Sequence, residues 1–259
     1  MDDRERPVGV FDSGVGGVSV LQALVRHLPR ERFLYYADTA NAPYGTKTKA
    51  QVAELSLRIA DFLVVEKGAK ALVVACNTAT SAAVKLLRER FPVPIIGMEP
   101  ALKPAVAQAN GKAVLVMATP MTLREEKFQA LLARYGQGAG IISLPCPGLV
   151  ELIEAGETEG ERIGSFLRHM FASVETERVG VVVLGCTHYI FARKAIAGFF
   201  PEDTLVIDGN EGTAKQLKRV LQLHGLERPG LAPVKQEPVQ WFTSGGPQDL
   251  EKLRAFWRK

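Results

Sequence analysis

The sequence predicts an α/β protein made of two similar, mainly parallel sheets, each covered by helices on both faces. Short and nearly continuous apolar runs alternate with amphipathic stretches along the chain, the pattern of buried parallel strands joined by crossover helices. Two of these runs, AKALVVACNTAT and RVGVVVLGCTHY, end alike: a cysteine, a threonine within two residues, then a helix-like stretch. The two cysteines, Cys76 and Cys186, lie 110 residues apart, about the length of a small domain, so the repeat reads as two halves of a duplicated chain. Ligands bind α/β sheets just past the strand ends, which makes both cysteines candidate site residues.

The elements follow in order. PVGVFD (7–12) is a strand, SGVGG a glycine turn, and Val18, Leu21, Leu24, Val25 and Leu28 mark one face of a helix. FLYYAD (33–38) is the next strand, followed by a loop with Asn41, Pro43, Tyr44 and Gly45. Val52, Leu55, Ile59, Phe62 and Leu63 recur at helical spacing, with Thr46 or Thr48 as N-cap and Gly68 as the stop. A strand at 70–75 and a helix at 80–91 come next, the helix closed by Pro92. After PIIGMEP the grammar restarts: helix near 101–109, strand 113–119, helix 122–135, strand 140–145, and helices 148–155 and 159–174. The strand before Cys186 leads to a helix at 190–199, a strand at 205–209 and a helix at 212–224. The tail is a proline-rich loop (228–238), a strand (240–245) and a helix from Asp249.

Composition bounds the class. The 259 residues are 47% apolar and 23% charged, enough for a sizeable core and unlike a disordered or fibrous chain. No twenty-residue apolar segment occurs, and MDDRERPVGVFDSG is charged ahead of a four-residue apolar stretch, which is not a secretory signal. Three cysteines, at 76, 146 and 186, cannot all pair with one another and sit in or beside apolar segments, as reduced cytoplasmic thiols do. The net charge of +4 comes from interspersed charges rather than a basic stripe, so neither nucleic acid nor a membrane is an expected partner.

FDSGVGG (11–17) lacks the G-x-G-x-x-G spacing and the P-loop lysine. It reads either as an anion-binding turn or as a turn that needs glycine for backbone reasons. Asp12 and Ser13 at the strand end supply a carboxylate to orient or deprotonate a thiol and a hydroxyl to hold a ligand. Cys146, in LPCPG, reads as inert core. Cys76 is followed by Asn77, Thr78 and Thr80, and Cys186 by Thr187 and His188; donors at a helix start stabilise a thiolate. Paired zinc-ligand spacings are missing, so no metal is expected. Glu154, in LVELIEAGE, reads by itself as a solvated helix charge.

FDSGVGG, NAPYG, ACNTAT and GCTHY, in this order and at these separations from about residue 8 to 245, make the chain similar to the glutamate racemases of the aspartate/glutamate racemase superfamily. The resemblance implies a cofactor-independent isomerase that interconverts L- and D-glutamate, supplying D-glutamate for peptidoglycan. Cys76 and Cys186 would be its two bases, the first abstracting from D-glutamate and the second from L-glutamate. Asp12 would assist Cys76, and His188 and Glu154 would assist Cys186. Asp12, Ser13, Tyr44, Gly45, Asn77, Thr78, Thr119, Thr122, Thr187 and His188 would hold the substrate. ATPMT (118–122) departs from the family, with Ala118 where glycine is common and Glu125 and Phe128 where serine and tyrosine often follow. The family fold places the site between two lobes related by a pseudo-twofold axis: a discontinuous first lobe, 1–97 plus 208–259, and a second, 98–207. It also leaves room for a homodimer. No lysine stands in a pyridoxal setting, so carbanion stabilisation would come from donors such as Asn77, Thr78 and Thr187. Competing readings are an aspartate or hydantoin racemase and a non-catalytic binder of an anionic metabolite.

Overall fold

Strands that run parallel cannot be joined by tight turns, so each crossover must cover a face of the sheet, and the sequence supplies a helix for nearly every one. The computed structural model describes residues 2–136, 140–230 and 237–258. In chain order the strands are β1 (Val8–Asp12), β2 (Phe33–Ala37), β3 (Ala71–Val74), β4 (Ile95–Gly97), β5 (Ala113–Ala118), β6 (Ile141–Pro145), β7 (Val179–Leu184), β8 (Leu205–Asp208) and β9 (Val239–Thr243). The α-helices are α1 (Gly17–His27), α2 (Lys49–Asp61), α3 (Asn77–Arg90), α4 (Leu102–Gln108), α5 (Pro120–Arg124), α6 (Glu126–Tyr135), α7 (Leu149–Glu154), α8 (Glu161–Met170), α9 (Arg193–Ala197), α10 (Asn210–Leu223) and α11 (Pro247–Trp257). The chain divides into two compact units, Met1–Met98 with Asn210–Lys259, and Glu99–Gly209.

The first unit holds a five-stranded sheet in the order β4-β3-β1-β2-β9 and the second a four-stranded sheet in the order β6-β5-β7-β8. Every pairing is parallel. In the first, the chain steps from β1 to β2 on one side and then crosses to β3 and β4 on the other; in the second, β5, β6, β7 and β8 repeat that path. Each sheet therefore has one switch point, β1/β3 and β5/β7, where the crossovers diverge and a crevice opens at the carboxyl ends. β1, β3 and β7 are buried along their whole length, the consequence of helices on both faces.

The helix expected over 159–174 stops at Met170, the face through Phe62 and Leu63 continues past α2 as a π-helix, Phe62–Glu66, and three further boundaries differ. α3 begins at Asn77 rather than 80, because Cys76 itself caps it. The helix expected over 122–135 is two, interrupted at Glu125, whose backbone is extended (ψ 141°). That break starts α6 afresh and seats Phe128, 1% exposed, in a core with Leu102, Ala105, Val116 and Val183. The helix expected over 190–199 is a 3₁₀ turn, Thr187–Ala192, followed by the short α9. Its aromatic and β-branched run, THYIFA, favours an α-helix less than the alanine-rich NTATSAAV after Cys76. Of the proline-rich loop expected over 228–238, positions 231–236 lie outside the described residues. Among the described residues no helix is long and apolar enough to cross a membrane.

At the amino ends of the first sheet, Lys70 and Glu31 form a buried ion pair (2.6 Å), their side chains 1% and 3% exposed. Lys70 also donates to the Arg4 carbonyl (2.7 Å), and Glu31 accepts the Arg228 backbone N–H (2.9 Å), which ties the chain after α10 to this edge. Breaking a buried pair strands a charge, so Lys70→Met is expected to lower unfolding free energy by about 3–5 kcal/mol in urea titrations. Lys70→Met combined with Glu31→Leu should recover most of that loss.

Candidate active site

One group of candidate residues gathers at the β1/β3 switch point of the first unit. Asp12 ends β1 and is fully buried; the Gly14 N–H donates to its Oδ1 (2.7 Å) and the Ser13 hydroxyl lies 3.4 Å from the same oxygen. The glycine turn serves this carboxylate. A Cβ on Gly17 would stand 2.5 Å from Asp12 Cβ and 2.8 Å from Tyr35 Oη, so α1 can start against Asp12 only with glycine there.

Cys76 occupies the N-cap of α3 with extended backbone, and its Sγ accepts from the Ala79 N–H at 3.4 Å. A sulfur so placed faces the unpaired amides and positive end of a helix dipole, an arrangement that favours thiolate over thiol. The Ser13 hydroxyl lies 4.0 Å from it, which joins the β1 and β3 ends. Thr80, also in the first turn, donates to the Val74 carbonyl (3.2 Å) and accepts the Met98 N–H (3.0 Å), clamping the helix start to β3 and to the segment after β4. Asn77 is 3% exposed, and neither its Nδ2 nor its Oδ1 has a hydrogen-bond partner among the described residues. Burying an amide unpaired is unfavourable, and such a group is ready to take a ligand. Thr78 beside it is also buried.

The Tyr44 phenol is already engaged, donating to Asp38 Oδ2 at 2.6 Å, while Asn41 Nδ2 donates to Asp38 Oδ1 at 2.9 Å. Burial, then the charge of Asp38, pushes the phenol far above the usual tyrosine range, with Cys76 and Asp12 adding to the effect. Tyr44 thus borders the same group of residues, and Gly45 follows it in the short turn Tyr44–Thr46. Asp38 went unassigned in the sequence. The available signal was its place closing FLYYAD, just as Asp12 closes GVFD.

Another group gathers at the β5/β7 switch point of the second unit. A Cβ on Gly185 would meet the Met117 carbonyl oxygen at 2.7 Å, so the approach to Cys186 runs against β5 only as glycine. Cys186 Sγ lies 3.8 Å from His188 Nδ1, and His188 Nε2 lies 2.7 Å from Glu154 Oε1 at the end of α7. The His188 and Glu154 side chains are 2% and 16% exposed, so Glu154 is not the solvated charge that its helix pattern suggests. Burial pulls the imidazole pKa down, but the hydrogen bonds to Cys186 and Glu154 and the charges on both outweigh it, leaving His188 well above the ordinary histidine range.

Thr119 ends this crevice on the β5 side. Its hydroxyl caps α5 by accepting the Thr122 N–H (3.2 Å) and shares a hydrogen bond with the Thr122 hydroxyl (2.9 Å). Thr187 is buried beside Cys186. Cys146 is 2% exposed and lies 3.3 Å from the Leu144 carbonyl, and burial pushes its thiol far above the usual range. Among the described residues, no group of three or more His, Cys, Asp or Glu is placed to hold a metal ion.

The raised His188 pKa fixes a sign. A folded pKa above the unfolded value, near ~6.5, contributes stability that is complete below that value and is lost as pH rises through the folded one. Nitrogen-15 NMR titration is expected to show His188 protonated through neutral pH, and Glu154→Gln should move its midpoint down. An unchanged midpoint would mean that Glu154 does not hold the proton.

A family model described as Asp/Glu/Hydantoin racemase matches residues 8–217. The glutamate racemase of Clostridium acetobutylicum is 49% identical over 227 residues, covering 87% of this chain and 88% of the relative. Among solved structures, glutamate racemase from Thermus thermophilus in complex with beta-chloro-D-alanine matches with a TM-score of 0.80 at 36% identity, over 99% of this chain and 93% of that one. Escherichia coli glutamate racemase, in complex with L-glutamate and the activator UDP-MurNAc-Ala, matches at 0.85 and 30% identity, over 97% and 95%. The chain is an isomerase of the racemase class and belongs to the Asp/Glu/Hydantoin racemase family.

Proposed function

We propose that this racemase interconverts L- and D-glutamate by a two-thiol exchange of the Cα proton, with Cys76 and Cys186 addressing opposite faces of the same carbon. The observation that carries the reading is that two buried cysteines hold equivalent positions, after the third strand of each repeated sheet path, one at a helix N-cap and one beside a histidine. Glutamate is supported by the names of the relatives at this level of identity.

One thiolate takes the Cα proton and becomes a thiol; the electron pair left behind is delocalised into the substrate carboxylate. The second thiol then gives its proton to the opposite face and becomes a thiolate, so one turnover inverts the carbon and leaves the enzyme in the complementary protonation state. Cys76 draws on the start of α3, with Asp12 and Ser13 beside it; Cys186 draws on the His188–Glu154 pair. Asn77, Thr78 and Thr187 are the donors proposed for the developing negative charge, where one well-aimed donor is worth about 3–4 kcal/mol. Asp12, Ser13, Tyr44, Gly45, Thr119, Thr122 and His188 complete the proposed substrate contacts. With its hydroxyl committed to Asp38, Tyr44 is proposed to contribute wall and backbone. The three cysteines are free, consistent with the cytoplasm as the place of work. The proposed role of the product is as D-glutamate for peptidoglycan.

Cys76→Ser and Cys186→Ser should each lose racemisation by two orders of magnitude or more, about 10²–10⁴-fold, with unchanged circular dichroism, because a hydroxyl is too weak a base. More than about a tenth of the activity in either variant would contradict a thiol base. Assays with aspartate in place of glutamate separate the two substrates. Cys146→Ala should keep its turnover and lose only about 1 kcal/mol of stability; loss of turnover at full stability would show the thiols to be misassigned.

A further inference from the structure

GCTHY ends in a tyrosine to which the proposed reaction gives no task. His188 meets Glu154 only while two separate stretches of chain keep register: Gly185 to Tyr189 after β7, and Cys146 to Glu154 after β6, the latter containing α7. β6 and β7 are not neighbours; they flank β5. Each stretch is anchored to the end of β5 by its own bond, Cys146 N–H to the Ala118 carbonyl (3.0 Å) and Gly185 N–H to the Met117 carbonyl (2.7 Å).

Tyr189 joins the two directly. It is fully buried, its N–H donates to the Cys186 carbonyl (3.1 Å), and its phenol donates to the Cys146 carbonyl (3.3 Å). The charged or titratable groups around the phenol are Cys146, Cys186 and Glu151, and those on His188 are Cys186 and Glu154; burial first, then Cys146 and Cys186, keeps the phenol protonated and a donor. Only Pro147 and Gly148, which has φ 86°, separate Cys146 from α7, whose Leu149, Val150 and Ile153 are buried. A short helix packed on one side transmits a displacement at its start to Glu154 at its end.

We infer that Tyr189 is a positioning residue: by bonding the Cys146 carbonyl, its phenol fixes α7 against the Cys186 turn and so sets the His188–Glu154 contact that serves Cys186. It acts through that pair. The inference rests on the reaction proposed above for the meaning of the pair.

Tyr189→Phe keeps the ring and removes one hydroxyl, leaving the core filled. Its kcat/KM should fall roughly 3- to 10-fold, the effect of one buried hydrogen bond. The fall is equal in both directions, because a catalyst leaves the D/L equilibrium unchanged. The informative readout is the Cα-deuterium isotope effect. It should rise from L-glutamate, where Cys186 abstracts, and not from D-glutamate. The NMR midpoint of His188 should drop, and in a Glu154→Gln background Tyr189→Phe should add nothing to either change. Isotope effects that stay put or shift equally from both enantiomers, or an unmoved His188 midpoint in the folded variant, would overturn the inference. The titration needs no turnover. If the wild-type protein fails to racemise glutamate, the proposed reaction falls, and the midpoint still decides whether Tyr189 sets the pair.

Discussion

A parallel sheet with helices on both faces has nowhere to put polar chemistry except at the ends of its strands, and this constraint shapes the protein. Val10, Val73, Val116 and Val182 are wholly buried, so a charged or nucleophilic side chain along these strands would need a partner inside an apolar layer. The first polar residues the chain can afford come at the carboxyl ends, and those nearest the two switch points are Asp12 and Cys76 in one sheet and Thr119 and Cys186 in the other. Because the winding path is the same in both sheets, the two thiols fall at equivalent positions.

Equivalent position does not mean equivalent surroundings. Cys76 is followed by an alanine-rich stretch that forms a full α-helix, and its sulfur serves as the helix cap. Cys186 is followed by a 3₁₀ turn whose first residues bring His188 round to the thiol, with Glu154 behind it. One thiol sits against backbone amides and a helix dipole, the other beside a histidine–carboxylate pair. The proposed two-thiol exchange has no need of identical bases, only of two whose protonation states exchange at each turnover.

The strands and the cysteines were legible because their signals are local: an uninterrupted apolar run, then a nucleophile, then threonine. Glu154 was not. Its helix reads as amphipathic, and nothing in LVELIE tells which charge turns inward; only the approach of β7's turn makes Glu154 the partner of a histidine 34 residues away. The break at Glu125 was equally hidden, since PMTLREEKFQALLARY contains no internal glycine or proline to mark it, and the gain comes from burying Phe128 in a distant core. Asp38 belongs to the same class, and Tyr44 was singled out only by the resemblance. Their 2.6 Å bond forms across a loop, and periodicity does not report on loops.

Two different thiols are proposed to handle the proton, one on each face. The most direct measurement is deuterium wash-in: incubate the metal-free, cofactor-free protein with protonated L-glutamate in D₂O, stop the reaction early, and determine the isotope at Cα of each enantiomer. The account predicts that newly formed D-glutamate carries deuterium while the remaining L-glutamate is still protonated, with the mirror result from D-glutamate. Early deuterium in the recovered starting enantiomer, at a rate matching its appearance in product, would indicate a single base serving both faces and would contradict the account.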